Sequence, residues 1–373
     1  MLWENIPLVI MTVGALVGSA ASVLGTFLVL RQNSMLADAI SHAILLGIVV
    51  VGLLTGAVSG FVSIVGAALA GILTVALTEL LVSSRRVKQD AAIGLVFPLL
   101  FAIGVILINL YFRNVHIDID TVLLGEIAFV WLDTYTFGAL EIPRALVNMT
   151  VVTLINLLFI VLFYKELKLA TFDEPLARAL GFSPALLFYG LLSLTSVTAV
   201  AAFDAVGSIL FIAFVIVPPA AAYLLTDRLW RMLVYSVLIA IAASVSGYYL
   251  ARRFNVSIGG MMATMTGVFF LLAFVWGPRY GLISQELRRL QQRRDTAERL
   301  LVVHLYHHEH ARDRPSENTV EALETHLRWR KPQVNRVLRR ALHRQLIRQA
   351  NGHLTLTDTG RTLAQELLEP SRP

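Results

Sequence analysis

The chain has 373 residues, 57% of them hydrophobic and 15% charged, a balance that excludes a water-soluble globular body. Its net charge of +6 is uneven: from Arg279 onward 18 Arg and Lys stand against 11 Asp and Glu, while the preceding part carries 13 against 14. There is no cysteine, which excludes disulfides, thiolate metal ligands and thiol catalysis.

The apolar runs are continuous rather than alternating, so they predict helices and not a membrane barrel. The opening MLWENIPLVIM lacks a basic region and a small-residue cleavage site, and reads as the start of a retained first span. About nine spans are expected, at 6–30, 35–54, 58–82, 92–111, 145–164, 184–202, 205–225, 231–251 and 258–276. With the N-terminus outside, Arg31, the cluster Arg85, Arg86 and Lys88, the group Lys165, Lys168 and Arg178, and the pair Arg228 and Arg231 fall on the inner side. Arg113, Arg144, Arg252 and Arg253 run against that rule.

The second span contains MLADAISHAILLG, residues 35–47, in which Asp38 and His42 stand one helical turn apart and share a face. An ionisable group inside a bilayer costs roughly 2.5–3.5 kcal/mol on insertion scales, so the pair is expected to face protein or a water-filled path. Oxygen plus imidazole nitrogen is half a site for a divalent transition metal, and a symmetric copy would complete a set of four. An interhelical hydrogen bond is the plain structural alternative.

Glu79 and Asp90 flank the basic cluster and read as interfacial ion pairs. His116, Asp118 and Asp120 form an outer loop cluster, and 121–141, interrupted by Glu126 and Asp133, reads as interfacial or re-entrant. In the inner loop 165–183, Asp173, Glu174 and Pro175 start a short amphipathic helix that Gly181 stops. Asp204 is expected to cap the helix that follows it. Pro218 and Pro219 remove two amide donors from the seventh span and predict a helix break there.

The basic remainder divides into a linker helix, 283–294, suited to an anionic lipid surface, and a soluble domain, 295–373. Helical runs at 295–310 and 318–328 precede KPQVNRVLRRALHRQL, whose Pro332 opens a helix with Val334, Val337, Leu338, Ala341 and Leu342 on one stripe. A hairpin turns at Asn351 and Gly352, and a last helix starts near Thr357 and Asp358. His304, His307, His308 and His310, with Glu309 among them, offer helical pairs for a cytoplasmic metal site.

Together these stretches resemble a family. LADAISHAILLG, VKQDAAIGLVF, TFDEPLARALGFS and AFDAVGSILFIAFVIVPPAAAYLL look like the signature segments of permease subunits of ATP-binding-cassette importers for manganese, zinc and iron, over a membrane domain at 1–282. The resemblance implies a homo- or heterodimeric permease in the inner membrane, fed by an extracytoplasmic metal-binding receptor. It implies the transported metal at Asp38 and His42, no resident cofactor, and an ATPase subunit docked on Asp173, Glu174, Arg178 and Gly181, with Pro218 and Pro219 as the moving break. No G-x-x-x-x-G-K-[ST] loop occurs in the sequence, so the chain is not itself expected to be an enzyme. The tail resembles a winged helix-turn-helix, similar to the DNA-binding part of diphtheria-toxin-repressor-like regulators, with Arg336, Arg339, Arg340 and Arg344 open to nucleic acid or protein. The fold expected is therefore an all-α polytopic membrane body with a small cytoplasmic α+β winged-helix domain. A membrane-tethered, metal-responsive transcription regulator and an importer of a metal chelate are the alternatives.

Overall fold

A computed structural model describes residues 5–56, 61–111, 127–137, 140–278, 280–309, 318–350 and 352–368. The chain divides into two units, Met1–Gly281 and Leu282–Pro373.

The first unit opens with α1 (Ile6–Leu30), α2 (Ser34–Thr55), α3 (Phe61–Ser83) and α4 (Gln89–Tyr111). A short antiparallel hairpin follows, β1 (Thr134–Phe137) with β2 (Leu140–Pro143). The segment expected to be re-entrant is thus in part this hairpin, tied down by an Asp133–Arg144 ion pair at 3.1 Å. His116, Asp118, Asp120 and Glu126 lie outside the described residues. Then come α5 (Arg144–Leu162), α6 (Tyr164–Phe172), α7 (Glu174–Ala179), α8 (Pro184–Leu225), α9 (Leu229–Phe254) and α10 (Ile258–Trp276).

Among the described residues, eight helices are long and apolar enough to cross a membrane, so this is a multi-pass membrane protein. The nine apolar runs of the sequence occupy eight helices because α8, 42 residues long, holds two of them. Straight, it would measure roughly 63 Å, about twice the hydrocarbon thickness. It is not straight. Inside it Gly207 has φ 78° and ψ 170°, outside the helical region, a backbone open to glycine because there is no Cβ to clash.

Contacts along α1 show that the chain reverses at Gly207. Phe188 lies under the Arg31 guanidinium at 4.5 Å, Thr198 accepts a 2.8 Å hydrogen bond from Asn156, whose amide reaches toward the Ala20 carbonyl, and Val215 presses its backbone on Gly25. In one straight helix Phe188 and Val215 would stand roughly 40 Å apart, whereas Arg31 and Gly25 are separated by roughly 9 Å along α1. Both halves of α8 therefore flank the same stretch of α1.

This corrects the expected break at Pro218 and Pro219, which the helix passes through. Proline keeps a helical φ but removes the N–H and crowds the carbonyl four residues back, so those carbonyls lose their partners while the backbone here stays helical. One of these, on Val215, faces Gly25, where two backbones meet without a side chain between them. Asp204 likewise sits within α8, three residues before the reversal, and not at a cap.

The core of this unit runs along α1, where Val13, Val17, Ala21, Leu24, Phe27 and Leu28 are buried against Phe211, Phe214 and Val215 of α8. Small residues let the helices close: with no side chain at Gly47 of α2 or Gly66 of α3, their backbones touch.

The second unit begins with α11 (Leu282–His308), so the expected linker helix and the first helix of the soluble domain are one 27-residue helix. It continues through α12 (Val320–His326), α13 (Lys331–His343), the antiparallel hairpin β3 (Ile347–Ala350) with β4 (His353–Leu356), and α14 (Asp358–Leu368). Gly352 supplies φ 81° at the turn. The α13 stripe of Val334, Val337, Leu338 and Ala341 is buried with Leu301, Leu305, Leu323 and Leu354, while Leu342, expected on that stripe, is exposed.

Candidate functional site

Helix α2 is enclosed on most of its surface. Ala37, Ala39, Ile40, Ala43, Ile44 and Gly47 are buried, and the Ser41 hydroxyl donates to the Ala37 carbonyl at 2.7 Å, satisfying a buried polar group within the helix. The stripe left open carries Met35, Asp38 and His42, the last two with about a third of their side-chain surface accessible. Their spacing of four residues put them on one face, and packing left that face partly open, as it did Val50, Leu53 and Leu54 further along the helix.

His42 Nε2 stands 3.5 Å from Asp38 Oδ1. That exceeds the 2.7–3.2 Å of a good hydrogen bond. It matches two ligands on one ion, since bonds of about 2.1 Å at a tetrahedral angle hold their donor atoms roughly 3.4 Å apart. The imidazole is held by α4: Phe97 stacks on it at 5.6 Å and 27°, and Phe101 meets it edge-on at 5.8 Å and 77°. This aromatic clamp was hidden in the sequence, because VKQDAAIGLVF marks Phe97 only as one apolar residue in a span.

Further polar groups gather between the start of α2 and α7. Asn33, just before α2, accepts from Gln89 at the start of α4. Arg31, two residues earlier, is partly buried; desolvation pulls its pKa below the usual guanidinium range, and Glu174 of α7 works in the opposite direction. Helix α7 itself is capped by Asp173, whose carboxylate accepts from the Leu176 N–H at 3.0 Å, and is braced by a Glu174–Arg178 pair at 2.5 Å. Gly181 ends it at φ 85°. Around it Phe172, Leu176, Leu180 and Phe182 are all exposed, an apolar set on a charged loop.

Other expected residues fall differently. Glu79, read as an ion-pair member, accepts a hydrogen bond from the Tyr189 hydroxyl of α8. In the second unit Arg340 and Arg344 are turned onto buried Glu298, at 3.6 and 2.9 Å, and Arg344 also reaches Asp295 at 3.8 Å. Arg336 and Arg339 donate through Nε to the backbone carbonyls of Pro332 and Asn335 on their own helix. The four arginines therefore do not form one open nucleic-acid face: two of them hold α13 to α11.

Of the expected histidine group, His304 and His308 come together, with ring centroids 4.6 Å apart. His307 does not join them, and His310 lies outside the described residues. The third member is His326 at the end of α12, which no local spacing could have signalled. Glu309 is engaged elsewhere, in a two-pronged pair with Arg361 at 2.6 and 2.9 Å.

Residues 6–277 match the family model described as the ABC 3 transport family. The chain is 46% identical over 362 residues to the zinc transport system membrane protein TroD of Treponema pallidum, covering 97% of this chain and 99% of that protein. It is 49% identical over 289 residues to the manganese transport system membrane protein MntD of Bacillus subtilis, covering 77% of this chain and 98% of the relative. Among solved structures it resembles PsaBC of Streptococcus pneumoniae in complex with Fab, with 29% identity and a TM-score of 0.63 over 76% of this chain and 95% of that one.

Proposed function

The chain belongs to the ABC 3 transport family, and from that premise we propose that it is the permease subunit of an importer that moves manganese, zinc or iron ions into the cytoplasm, with ATP hydrolysed by a separate subunit. The observation that carries this reading is the Asp38–His42 pair: donor atoms 3.5 Å apart, on a partly open face of α2. Facing lipid, such a stripe would cost several kcal/mol. Covered by a second permease subunit across a two-fold axis, it becomes a path lined by two carboxylates and two imidazoles, a donor set that suits divalent first-row metals.

The exposed Phe172, Leu176, Leu180 and Phe182 around α7 are the docking surface for the ATPase. Movement there reaches α2 through Glu174, Arg31 and Asn33, and the reversal of α8 at Gly207 supplies a hinge beside α1. An external receptor delivers the ion at the opposite face. The second unit is a cytoplasmic winged helix, a reading supported by its order of helices and hairpin. Its arginines favour an internal or protein-binding role over nucleic acid.

The test is uptake of manganese, zinc and iron radioisotopes by cells expressing the complete transporter, with Asp38→Ala and His42→Ala compared at equal membrane expression. Loss of uptake for one metal names the cargo. Unchanged uptake of every metal reduces the pair to a structural contact, and a requirement for a chelator would make the cargo a complex.

A further inference from the structure

We propose that His304, His308 and His326 form a metal-binding site of the second unit, selective for a nitrogen-preferring divalent ion such as zinc. This is separate from the transport pair. Each histidine offers a ring nitrogen, and the three nitrogens lie within 4.8 Å of one another. Ring centroids are 4.6 Å apart for His304 and His308, 5.8 Å for His304 and His326, and 6.2 Å for His308 and His326.

Two helix ends create the arrangement. His304 and His308 are one turn apart in the last turns of α11, so they project side by side, and His326 is the last residue of α12. Leu301, Leu305 and Leu323, buried in one core, fix the approach of the two helices. Helix C-termini carry partial negative charge, which favours a cation where α11 ends. Three bonds of about 2.1 Å in a tetrahedron require nitrogens roughly 3.4 Å apart, so the cluster must close by up to about 1.4 Å. His304 and His308 are half-buried, whereas His326 is exposed and can rotate inward to close it.

The donor set decides the metal. Three imidazoles without a carboxylate suit zinc, cobalt, nickel or copper and suit manganese poorly. Glu309, the nearest acid in sequence, is held by Arg361, which leaves the fourth position to water or to a further ligand. A site drawing α11 and α12 together by one ion makes the packing of this unit depend on metal in the compartment it faces. That the metal is imported cargo rests on the transport reading above. The existence of the site does not.

The experiment is titration of the full-length chain in detergent, stripped of metal, with cobalt followed by visible absorption and then competition by zinc or manganese. The wild type should show the intense bands of a four-coordinate, nitrogen-rich cobalt site, displaced by zinc and not by manganese. His326→Gln, exposed and safe for folding, should weaken binding by at least about a hundredfold, since even partners one step removed from a metal are worth 10–100-fold. His307→Gln should leave it unchanged. The double variant Asp38→Ala and His42→Ala should also retain the bands, so failure of the transport reading and failure of this one give different results. Absence of the bands in the wild type, their persistence in His326→Gln, or their loss in the Asp38 and His42 variant alone overturns the proposal.

Discussion

Replacing Gly25 by alanine tests the packing that holds α8 against α1. A methyl group there would overlap the Val215 carbonyl oxygen outright and stand 2.8 Å from its carbon and 3.1 Å from its Cα. Carbon atoms pack at about 3.5–4.0 Å, so the two backbones would have to separate by close to 1 Å. Neither can yield cheaply, because Leu24, Phe27 and Leu28 on one side and Phe211, Phe214 and Val215 on the other are buried to within 1%. Overpacking of this kind costs about 1–3 kcal/mol, and the obstacle here is backbone, so the upper end applies. The assay is the melting temperature of the purified chain in detergent, with Gly94→Ala and Gly267→Ala as controls. A methyl at either control meets nothing within 4 Å, and alanine in a helix interior gains up to about 1 kcal/mol over glycine. Gly25→Ala should melt several degrees below both. Equal melting of all three would refute the close approach of Val215 to α1, and with it the reversal at Gly207.

Phe97→Leu removes the stacked face of His42 while keeping an apolar filler, so metal uptake should fall with most of the change in apparent affinity, read from the concentration dependence of isotope uptake. Asp173→Ala deletes the cap of a six-residue helix, at a cost of about 1 kcal/mol, and should uncouple the partner's ATP hydrolysis from uptake without lowering expression. Gly181→Ala strains a residue at φ 85° and should act in the same direction by a comparable amount. In the second unit Glu298→Ala strips the buried carboxylate shared by Arg340 and Arg344, and proteolysis of that unit should accelerate; unchanged digestion would mean the pairs contribute nothing.

Much of the membrane body was legible because its signals are local. Continuous apolar runs gave the spans, Asp38 and His42 declared themselves by four-residue spacing, and Asp173, Pro175 and Gly181 marked α7 by known start and stop chemistry. The proline pair misled for the opposite reason: a missing donor is visible in sequence, but whether the helix continues depends on what the freed carbonyl meets, here the bare backbone of Gly25.

By itself, then, the sequence determined a polytopic helical body with a titratable pair in its second span and a basic, histidine-rich second unit. Only tertiary packing decided which stripe of α2 stays open, that α8 doubles back at Gly207, that Arg340 and Arg344 turn onto Glu298, and that His326 joins His304 and His308. Helical periodicity reaches one or two turns along a chain, whereas these contacts join residues from 18 to 190 positions apart, His308 with His326 at one end and Gly25 with Val215 at the other, whose meeting is set by how buried faces close on one another.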